Sequence, residues 1–594
     1  MCAIVACRTT APVVCYLLAA LRRLEYRGYD SAGISVMTSP GEMIRVRNVG
    51  RIDDLAREVR DWPDQAGLGI GHTRWATHGG ITESDAHPHT DCSGRVSLVH
   101  NGIIDNAEEL RLELTRRGHV FSSLVDSEVI CHLVEEELAS TGDLLAAVQS
   151  AVARLEGSWA MAVADSTNGR LVVAANKSPL LVARSVLGDF AASDPAAFAD
   201  WVDSYSVLVD GSVVELGAEF VWTDGDRVVA PPAPHGCAWR GADADLGGYG
   251  DHMGREIAEQ PEAAARILDE LDGGIADGSL WRNLGLGDFR QVEILACGTS
   301  LHAGLVLAGE LNRFAHIRTV VSIASEVDVP EPEPGTLYLA ISQSGETADV
   351  LRAIDRIGPR AESLLALTNN THSTLARTAG AVVPCSAGPE FGVAATKTFV
   401  CQILAGSATV LSAMAATGRI DLLRAKELVE DLYRVPERLA TALRISEQLL
   451  PELVLGLIDE PGFLFIARGS GLPYAAEGAL KLKEITYRWA EYYPAGELKH
   501  GPLALVRPGT PVIVVDNGDP RLAGNISEVR TRGAYVTIVG RRGRTLPVLP
   551  DGPDEFYGPL ESVIPMQLLA RDLAIALGRD VDKPRNLAKS VTVE

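Results

Sequence analysis

The second residue of this chain is a cysteine, and its position suggests a nucleophile that carries its own base. Initiator methionine is normally removed before a small residue, so we expect processing to leave Cys2 with a free α-amino group. Such an amino group has a pKa of about 7.7–8.0, and its neutral fraction accepts a thiol proton. Because cysteines are often buried for structural reasons, other motifs must support this interpretation.

Two further motifs contain groups that an amide-cleaving cysteine needs. In LVHNGIIDN, Asn101 and Gly102 end a strand, where the side-chain amide and a peptide N–H can form an oxyanion hole. Arg74 in GHTRWATHG can bind an α-carboxylate bidentately, and Asp126 at a helix start can bind an α-ammonium group. Together with Cys2, these groups predict hydrolysis of the side-chain amide of a free amino acid.

Two loops in the second half of the chain, CGTS and SQSGET, are rich in hydroxyl groups and follow apolar strands. Peptide N–H groups at a helix N-terminus, with such hydroxyls, can hold a phosphate without lysine or arginine. One such loop alone would read as a helix N-cap, but two in one strand–helix unit favour a phosphate site. Aligning Gly298 with Gly469 indicates a second copy of the unit. There VDNGDP replaces SQSGET, and its aspartates predict that only the first copy binds the anion.

A predicted helix, AAEGALKLKEITY, places three charged side chains on one face. Glu477, Lys481 and Glu484 stand at positions i, i+4 and i+7. Such spacing is typical of ion pairs on a solvated helix surface, and equally of a buried acid–base group, so both interpretations stay open here.

The pattern of apolar runs predicts the domain organisation. Residues 1–225 alternate short strands with turns and four helical segments, which indicates an α+β domain rich in antiparallel strands. Residues 226–250 are rich in Pro, Gly and Asp and predict a linker. Strand–loop–helix units then predict two α/β domains with parallel sheets, at 251–425 and 450–584, before a tail at 585–594.

Composition excludes several classes of protein. The 594 residues contain 54 basic and 78 acidic side chains, a net charge of −24, which argues against a nucleic-acid partner. The nine cysteines form no C-x-x-C pair, so we expect a cytoplasmic protein without disulfides. The apolar stretch PVVCYLLAAL predicts a buried amphipathic helix and not a signal peptide, and no apolar run predicts a membrane span.

The stretch HPHTDC raises a separate hypothesis of a metal site. His87 and His89 can lie on one side of an extended segment, with Asp91 or Cys92 nearby.

Several of these motifs resemble one enzyme family. MCAIVA, LRRLEYRGYDSAG, HTRWATHG, AHPH and HNGIIDN resemble the N-terminal-nucleophile glutaminase domain of the glutamine–fructose-6-phosphate aminotransferase (isomerising) family. The resemblance continues through LACGTS, SQSGETAD, EGALKLKE, AGELKHGPLAL and DKPRNLAKSVTVE, across essentially the whole chain. It implies an αββα glutaminase domain followed by two sugar isomerase (SIS) domains.

The resemblance also implies an activity. L-glutamine and fructose 6-phosphate would yield glucosamine 6-phosphate and L-glutamate, with internal transfer of ammonia, in a homodimer without cofactor or metal. By resemblance, Cys2 is the nucleophile, Asn101 and Gly102 form the oxyanion hole, Glu484 is the proton-shuttling base and His500 opens the sugar ring. Lys589 approaches the sugar carbonyl, where it can form a Schiff base. The resemblance further assigns glutamine binding to Arg74, Thr77, His78 and Asp126, the ammonia gate to Trp75, and sugar-phosphate binding to Thr299, Ser300, Ser342, Gln343, Ser344, Thr347, Val393 and Lys481.

Three positions depart from the family pattern. Ala3 and Ala6 replace glycines beside the nucleophile, and Ala395 in GVAATK stands where a serine is usual. These departures leave open a diverged paralogue that acts on another sugar phosphate or has a weak glutaminase. A non-catalytic sugar-phosphate sensor is the other alternative.

Overall fold

A computed structural model describes residues 2–39, 42–62, 66–75, 79–237, 245–286, 289–328, 333–550 and 556–591. The chain divides into two compact units. The first unit comprises Met1–Asp245 and Ser590–Glu594, and the second comprises Leu246–Lys589.

The first unit is built from strands and five helices. The strands are β1 (Ala3–Pro12), β2 (Ser31–Ser39), β3 (Glu42–Val49), β4 (Ala66–Arg74), β5 (His89–Thr90), β6 (Val96–Ile104), β7 (Gly157–Asp165), β8 (Arg170–Asn176), β9 (Leu181–Ser185), β10 (Gly188–Ala192), β11 (Ser204–Val207), β12 (Ser212–Leu216), β13 (Val221–Asp224), β14 (Arg227–Val228) and β15 (His235–Gly236). The described helices are α1 (Val13–Leu24), α2 (Ile52–Glu58), α3 (Ala107–Arg116), α4 (Ser127–Thr141) and α5 (Leu144–Val152).

These strands form two antiparallel sheets that pack face to face. One sheet has the order β15-β11-β9-β10-β1-β4-β2-β3, and the other has the order β14-β13-β12-β8-β7-β6-β5. Alternate residues of β1 serve different layers: Ala3 and Val5 pack toward helix α1, whereas Ile4 and Ala6 pack between the sheets. Helices α3, α4 and α5 cover the second sheet, so the layers run α, β, β, α.

The apolar stretch near the amino terminus is a core helix, as its periodicity predicts. Leu17, Leu21 and Leu24 of α1 are fully buried, and Gly69 of β4 leaves room for Leu17. The range 226–250 is not wholly a linker as predicted, because it contains β14 and β15, which pair within the sheets of the first unit. Two-residue edge strands are too short to show the alternation that sequence analysis detects.

The second unit contains the remaining elements. Its strands are β16 (Gln291–Ala296), β17 (Arg318–Ile323), β18 (Thr336–Ser342), β19 (Leu364–Thr368), β20 (Ala381–Pro384), β21 (Gly462–Ala467), β22 (Trp489–Pro494), β23 (Pro511–Val515), β24 (Tyr535–Gly540) and β25 (Leu546–Pro547). Its helices are α6 (His252–Ala258), α7 (Gln260–Leu271), α8 (Ser279–Asn283), α9 (Gly298–Arg313), α10 (Ala348–Ile357), α11 (Thr374–Thr378), α12 (Lys397–Ala416), α13 (Leu422–Tyr433), α14 (Val435–Leu457), α15 (Leu472–Thr486), α16 (Leu522–Thr531) and α17 (Val563–Ala576).

The second unit holds two parallel five-stranded sheets with the same topology. Their orders are β17-β16-β18-β19-β20 and β22-β21-β23-β24-β25, so the predicted tandem repeat is confirmed. Gly298 and Gly469, aligned from the sequence, follow equivalent strands and have φ angles of 53° and 49°. Both glycines therefore make the same left-handed turn from strand into helix.

Among the described residues, one helix is long and apolar enough to cross a membrane. This is α12, and 89% of its most apolar window is buried inside the fold. Its sequence mixes apolar residues with Gln402, Ser407 and Thr409, which is why it does not stand out as an uninterrupted apolar run.

Candidate functional site

Strand pairing in the first unit brings Cys2 beside Trp75. Ala3 of β1 pairs with Thr73 of β4, so the residues that flank this pair lie side by side. The Trp75 peptide N–H donates to Cys2 Sγ at 3.3 Å, and the thiol donates to the Trp75 carbonyl oxygen at 3.5 Å. The sulfur is therefore held by the backbone of Trp75.

The side chain of Asn101 reaches Cys2 from the other sheet. Its Nδ2 donates to the Cys2 carbonyl oxygen at 3.2 Å and to Ser193 Oγ at 2.9 Å. Its Oδ1 lies 3.0 Å from Nε2 of His72, which also lies 3.0 Å from the His100 carbonyl oxygen. Because both atoms facing Nε2 are acceptors, His72 carries its proton there and holds the Asn101 amide in one orientation.

Gly102 adopts a conformation that excludes a side chain. Its φ angle is 126°, and a Cβ atom would lie 2.0 Å from the carbonyl oxygen of Ser158 on β7. Glycine is therefore required for β6 to pair with β7 at this point.

A group of buried histidines lies behind these residues. The rings of His72 and His87 stack at 4.1 Å between centroids, and His89 meets the edge of His87 at 4.5 Å. Burial lowers the pKa of His72 to about 3, and burial likewise lowers the pKa values of His87, His89 and His100. All four rings are consequently neutral near pH 7.

The predicted substrate clamp is anchored at the ends of β4 and β6. Arg74 is buried and donates to the Gly80 carbonyl oxygen at 2.8 Å. Asp126, at the start of α4, accepts the Ile104 peptide N–H at 2.9 Å, which ties α4 to the end of β6. Thr77 and His78, the other predicted glutamine-binding residues, lie outside the described residues.

The metal site suggested by HPHTDC is not assembled as proposed. His87 and His89 contact each other, but Cys92 Sγ lies 3.6 Å from the Nδ1 atoms of His119 and His132 instead. Asp91 accepts the Val96 peptide N–H and caps the following turn. Thus the histidines that contact Cys92 come from α4 and from the loop after α3. His87 and His89, which are close to Cys92 in sequence, do not take that place.

In the second unit, the SQSGET loop forms a hydroxyl-lined turn between β18 and α10. Ser342 Oγ and Thr347 Oγ1 are 2.8 Å apart, and Ser342 Oγ accepts the Gly345 peptide N–H at 3.0 Å. Ser344 Oγ accepts the Glu346 peptide N–H at 3.1 Å, and Gln343 accepts the Asn369 peptide N–H through its backbone carbonyl. This turn and the start of α9 follow neighbouring strands of one sheet.

The start of α9 contacts the charged face of α15. Thr299 Oγ1 donates to Glu477 at 3.0 Å and accepts from Lys481 Nζ at 3.0 Å. Ser300 Oγ accepts an amide hydrogen of Gln402 at 2.9 Å. Predicted residues from the first copy and from α15 therefore meet.

Glu477, Lys481 and Glu484 lie on one face of α15, and the face is buried. Lys481 Nζ lies 3.4 Å from Glu477 and 2.7 Å from Glu484. The side chains of Glu477 and Lys481 are 1% exposed and that of Glu484 is 20% exposed, which excludes the solvated-surface interpretation. Burial opposes the charge on Lys481, but Glu477 and Glu484 outweigh it and raise its pKa.

Lys589 is held in a buried ion pair. Its Nζ donates to Glu390 at 2.5 Å and to the Gly392 carbonyl oxygen at 2.7 Å. Burial opposes ionisation of Glu390, yet Lys589 and peptide N–H groups of Thr396 and Thr398 lower its pKa to about 2. Lys589 must leave this pair before its amine can attack a carbonyl.

The remaining predicted residues lie nearby or at the surface. Val393 is next in sequence to Gly392, whose carbonyl oxygen accepts from Lys589. Its peptide N–H donates to the Asp582 carbonyl oxygen at 3.0 Å. His500 ends a short 3₁₀ helix, Ala495–His500, and is exposed.

The aspartates of the second copy are paired with arginines, whereas the sequence predicted an anion-repelling loop. Asp516 pairs with Arg544 at 2.8 Å, and Asp519 pairs with Arg521 at 2.6 Å. The loop borders a cavity of about 570 Å³ that Arg541 also lines. A neighbouring arginine, Arg521, and one farther along the chain, Arg544, thus neutralise charges that looked unpaired.

Several residues that position these groups were not predicted from the sequence. His72, Ser193 and Glu390 contact predicted site residues, and His302 contacts Glu477 on the charged face of α15. A detectable signal existed for two of them, because His72 interrupts an apolar strand and Glu390 stands in an otherwise uncharged segment. Ser193 carries no such signal.

Comparison with known proteins agrees with this arrangement. Residues 72–200 match a family model described as a glutamine amidotransferase domain, and residues 286–412 and 456–540 match the SIS domain. The chain is 39% identical to "Glutamine--fructose-6-phosphate aminotransferase [isomerizing]" of Leifsonia xyli, over 100% of both chains. It is 41% identical to the protein of that name from Methanothermobacter thermautotrophicus, also over 100% of both chains.

A solved structure matches the second half of the chain. The C-terminal domain of glucosamine-fructose-6-phosphate aminotransferase from Francisella tularensis covers 57% of this chain and 100% of its own length, with a TM-score of 0.52 and 32% identity. Full-length identity of about two residues in five, with both domain types in the same order, settles the relationship. The chain belongs to the glutamine–fructose-6-phosphate aminotransferase (isomerising) family.

Proposed function

We propose that this chain converts fructose 6-phosphate and L-glutamine to glucosamine 6-phosphate and L-glutamate. The observation that carries the proposal is the convergence of Cys2, the Trp75 peptide and the Asn101 amide at one point of the first unit. The buried acid–base face of α15 supports the sugar half of the reaction.

In the proposed glutaminase step, the Cys2 sulfur attacks the side-chain amide carbon of glutamine. The thiol proton passes to the free α-amino group once Met1 has been removed, and then to the leaving nitrogen, which departs as ammonia. Asn101 and the Gly102 peptide N–H stabilise the oxyanion, while Arg74 and Asp126 bind the amino acid's own charges. Water then hydrolyses the thioester, which releases glutamate and restores the thiol.

In the proposed isomerase step, ammonia condenses with the C2 carbonyl of the opened sugar and water leaves. Glu484 removes a proton from C1 and returns one to C2, while the C1 hydroxyl loses its proton and the imine nitrogen gains one, so C1 becomes the aldehyde carbon and C2 carries the amine of the product. Lys481 stays charged between its two carboxylates and lies 2.7 Å from Glu484, which holds that carboxylate in place. The hydroxyls of the SQSGET loop and of α9 bind the phosphate.

We further infer that His500 acts in the site of a second subunit of a homodimer, as the family resemblance suggests. Exposure of His500 in the single chain supports this inference. Trp75, whose ring meets Tyr29 edge-on at 5.6 Å, remains the proposed ammonia gate.

The decisive experiment replaces the nucleophile. With glutamine as donor, Cys2→Ala should form no glucosamine 6-phosphate, because no other group can form the thioester. With ammonium salts it should retain activity, since the sugar half needs only ammonia. Cys15→Ala, which changes an exposed cysteine of α1, is the matched control and should behave as the parent.

Intact mass must show beforehand that Met1 is absent from both variants. Equal loss of the glutamine-dependent and ammonium-dependent reactions in a folded Cys2→Ala protein would contradict the two-site scheme.

A further inference from the structure

Four side chains of the first unit converge away from Cys2. Cys92 precedes β6, His119 follows α3, and His132 and Glu135 lie one turn apart on α4. One donor atom from each lies within 4.8 Å of every other. A thiol, two imidazoles and a carboxylate from three separate segments thus meet at one point.

The spacing of the donors matches a tetrahedral zinc site. Cys92 Sγ lies 3.6 Å from Nδ1 of both His119 and His132. Oε2 of Glu135 lies 2.9 Å and 3.0 Å from the same two nitrogens. Typical zinc–ligand bonds of about 2.0–2.3 Å place tetrahedral neighbours about 3.3–3.6 Å apart, so small shifts suffice to admit the ion.

The outer nitrogens of both imidazoles also face carboxylates. Nε2 of His119 lies 3.3 Å from Glu136, and Nε2 of His132 lies 3.9 Å from Glu128. Metal-binding histidines commonly turn their second nitrogen toward a carboxylate in this way. The carboxylate of Glu136 thus favours a His119 ring orientation that turns Nδ1 toward the ion.

We propose that Cys92, His119, His132 and Glu135 bind one divalent transition-metal ion, with Zn²⁺ as the best fit. The thiolate and the carboxylate neutralise the two positive charges of the ion. Sulfur and imidazole ligands disfavour Mg²⁺ and Ca²⁺, which prefer oxygen. Four protein ligands fill a tetrahedral shell, so the ion has a structural role.

The position of the site indicates which elements a structural ion would hold together. The ion joins the segment that leads into β6 to helix α4. Strand β6 carries Asn101 and Gly102, and α4 begins directly after Asp126. Bound metal would therefore stabilise the relative placement of the oxyanion donors and the substrate-binding carboxylate.

The test measures metal directly in the full-length protein. Cys2→Ala serves as the parent, so that the nucleophilic thiol cannot bind the ion, and purification avoids polyhistidine tags and chelators. We expect one Zn²⁺ per chain by elemental mass spectrometry. Added Co²⁺ should give a thiolate charge-transfer band and the visible bands of tetrahedral coordination.

Variants then locate the ion. In this parent, Cys92→Ser should abolish the thiolate band and the stoichiometric zinc, whereas Cys15→Ser, at an exposed thiol of α1, should retain both. Glu136→Gln, outside the donor set, should weaken zinc binding roughly tenfold to a hundredfold by competition with a chromophoric chelator. Zinc should raise the thermal midpoint of the parent and of Cys15→Ser, but not that of Cys92→Ser.

Other results would overturn the proposal. A folded parent that binds no stoichiometric zinc and gives no cobalt–thiolate band shows that the cluster is a hydrogen-bonded network only. Equal effects of Cys92→Ser and Cys15→Ser would place any bound ion elsewhere. The cobalt spectrum of the parent decides the question even if Cys92→Ser does not fold.

Discussion

Asn101 has both amide hydrogens engaged in this structure, one on the Cys2 carbonyl oxygen and one on Ser193 Oγ. Donation to a tetrahedral oxyanion requires that one of these bonds be exchanged. The bond from His72 fixes the opposite end of the amide, so the exchange needs only a small rotation. Reorganisation at a single side chain thus accompanies the glutaminase step.

Gly102→Ala should lower the glutaminase rate by more than the cost of a strained backbone conformation would by itself. A left-handed conformation costs a side chain about 1–2 kcal/mol, and here the new methyl group also meets the Ser158 carbonyl oxygen. Displacement of an oxyanion donor lowers the rate by about 100-fold to 1,000-fold. We expect a loss of this size with glutamine, and far less with ammonium salts, in steady-state assays.

The control for this variant is Gly211→Ala. Gly211 has a φ angle of 84°, and no described atom lies within 4 Å of its would-be Cβ. Gly211→Ala should therefore lose only the stability that the left-handed conformation costs, and should keep the glutamine-dependent rate of the parent. Similar rates for the two variants would show that the contact with Ser158 is unimportant.

Glu256→Gln should change how stability depends on pH. Burial, reinforced by the charge of Glu390, raises the pKa of Glu256 to about 8. Between its ordinary pKa of about 4.5 and this value, the folded chain keeps a proton that the unfolded chain releases, so stability falls as pH rises. The unfolding midpoint of the parent should therefore drop relative to Glu256→Gln between about pH 4.5 and pH 8.

Glu262→Gln on α7 is the control, because Glu262 is exposed. It should follow the parent at every pH. The lowered pKa of Glu390 acts in a separate window, since its stabilisation is lost only as pH falls below about 4.5 toward 2. Parallel profiles for the parent and Glu256→Gln would contradict a proton held by Glu256.

At the scale of elements, the two parallel sheets repeat their topology but not their loop chemistry. After Gly298 the first copy continues with Thr299 and Ser300, and after Gly469 the second continues with Ser470 and Gly471. Thr299 contacts the charged face of α15, whereas Ser470 accepts a hydrogen bond from Asn517 within its own copy. Equivalent turns have therefore acquired different surroundings.

This difference predicts unequal effects of matched substitutions. Thr299→Ala should raise the KM for fructose 6-phosphate about 5-fold to 100-fold, because a part-buried hydroxyl that bonds Glu477 and Lys481 is lost beside the proposed phosphate site. Ser470→Ala should leave that KM unchanged. Calorimetric titration with fructose 6-phosphate provides the same comparison without turnover, and equal losses would contradict a phosphate site confined to the first copy.

At the scale of the whole molecule, each unit has its own core and its own candidate site. The second unit supplies Glu484 on a buried helix face, but its His500 is exposed. Both observations fit a homodimer in which His500 of one subunit completes the site of its neighbour.

Mixing two inactive variants tests this arrangement. His500→Ala and Glu484→Gln should each lose the ammonium-dependent reaction. If each subunit lends His500 to its neighbour, each mixed dimer has one intact site of two, so a randomly paired mixture formed by refolding or coexpression should regain up to about a quarter of the parental activity per site. Size-exclusion chromatography with light scattering should show a dimer, and a monomer or the absence of regained activity would contradict a shared site.

Much of the fold followed from local patterns. Short apolar runs separated by turn residues predicted the antiparallel strands, and the recurring strand–loop–helix units predicted both parallel sheets and their offset, as the pair Gly298 and Gly469 shows. The short strands β14 and β15 escaped prediction, because two residues carry no periodic signal. The helical spacing of Glu477, Lys481 and Glu484 predicted a shared face but did not predict its burial.

The sequence by itself determined which residues could react and which of them share an element: a cysteine at position 2, hydroxyls in adjacent loops, and charges on one helix face. Tertiary structure alone decided that Cys92 meets His119 and His132 and not His87, and that Lys589 pairs with Glu390. Spacing along a helix or strand is set by local geometry, which the sequence displays directly. Contacts between distant segments depend on how whole elements pack, and that packing is a property of the entire fold.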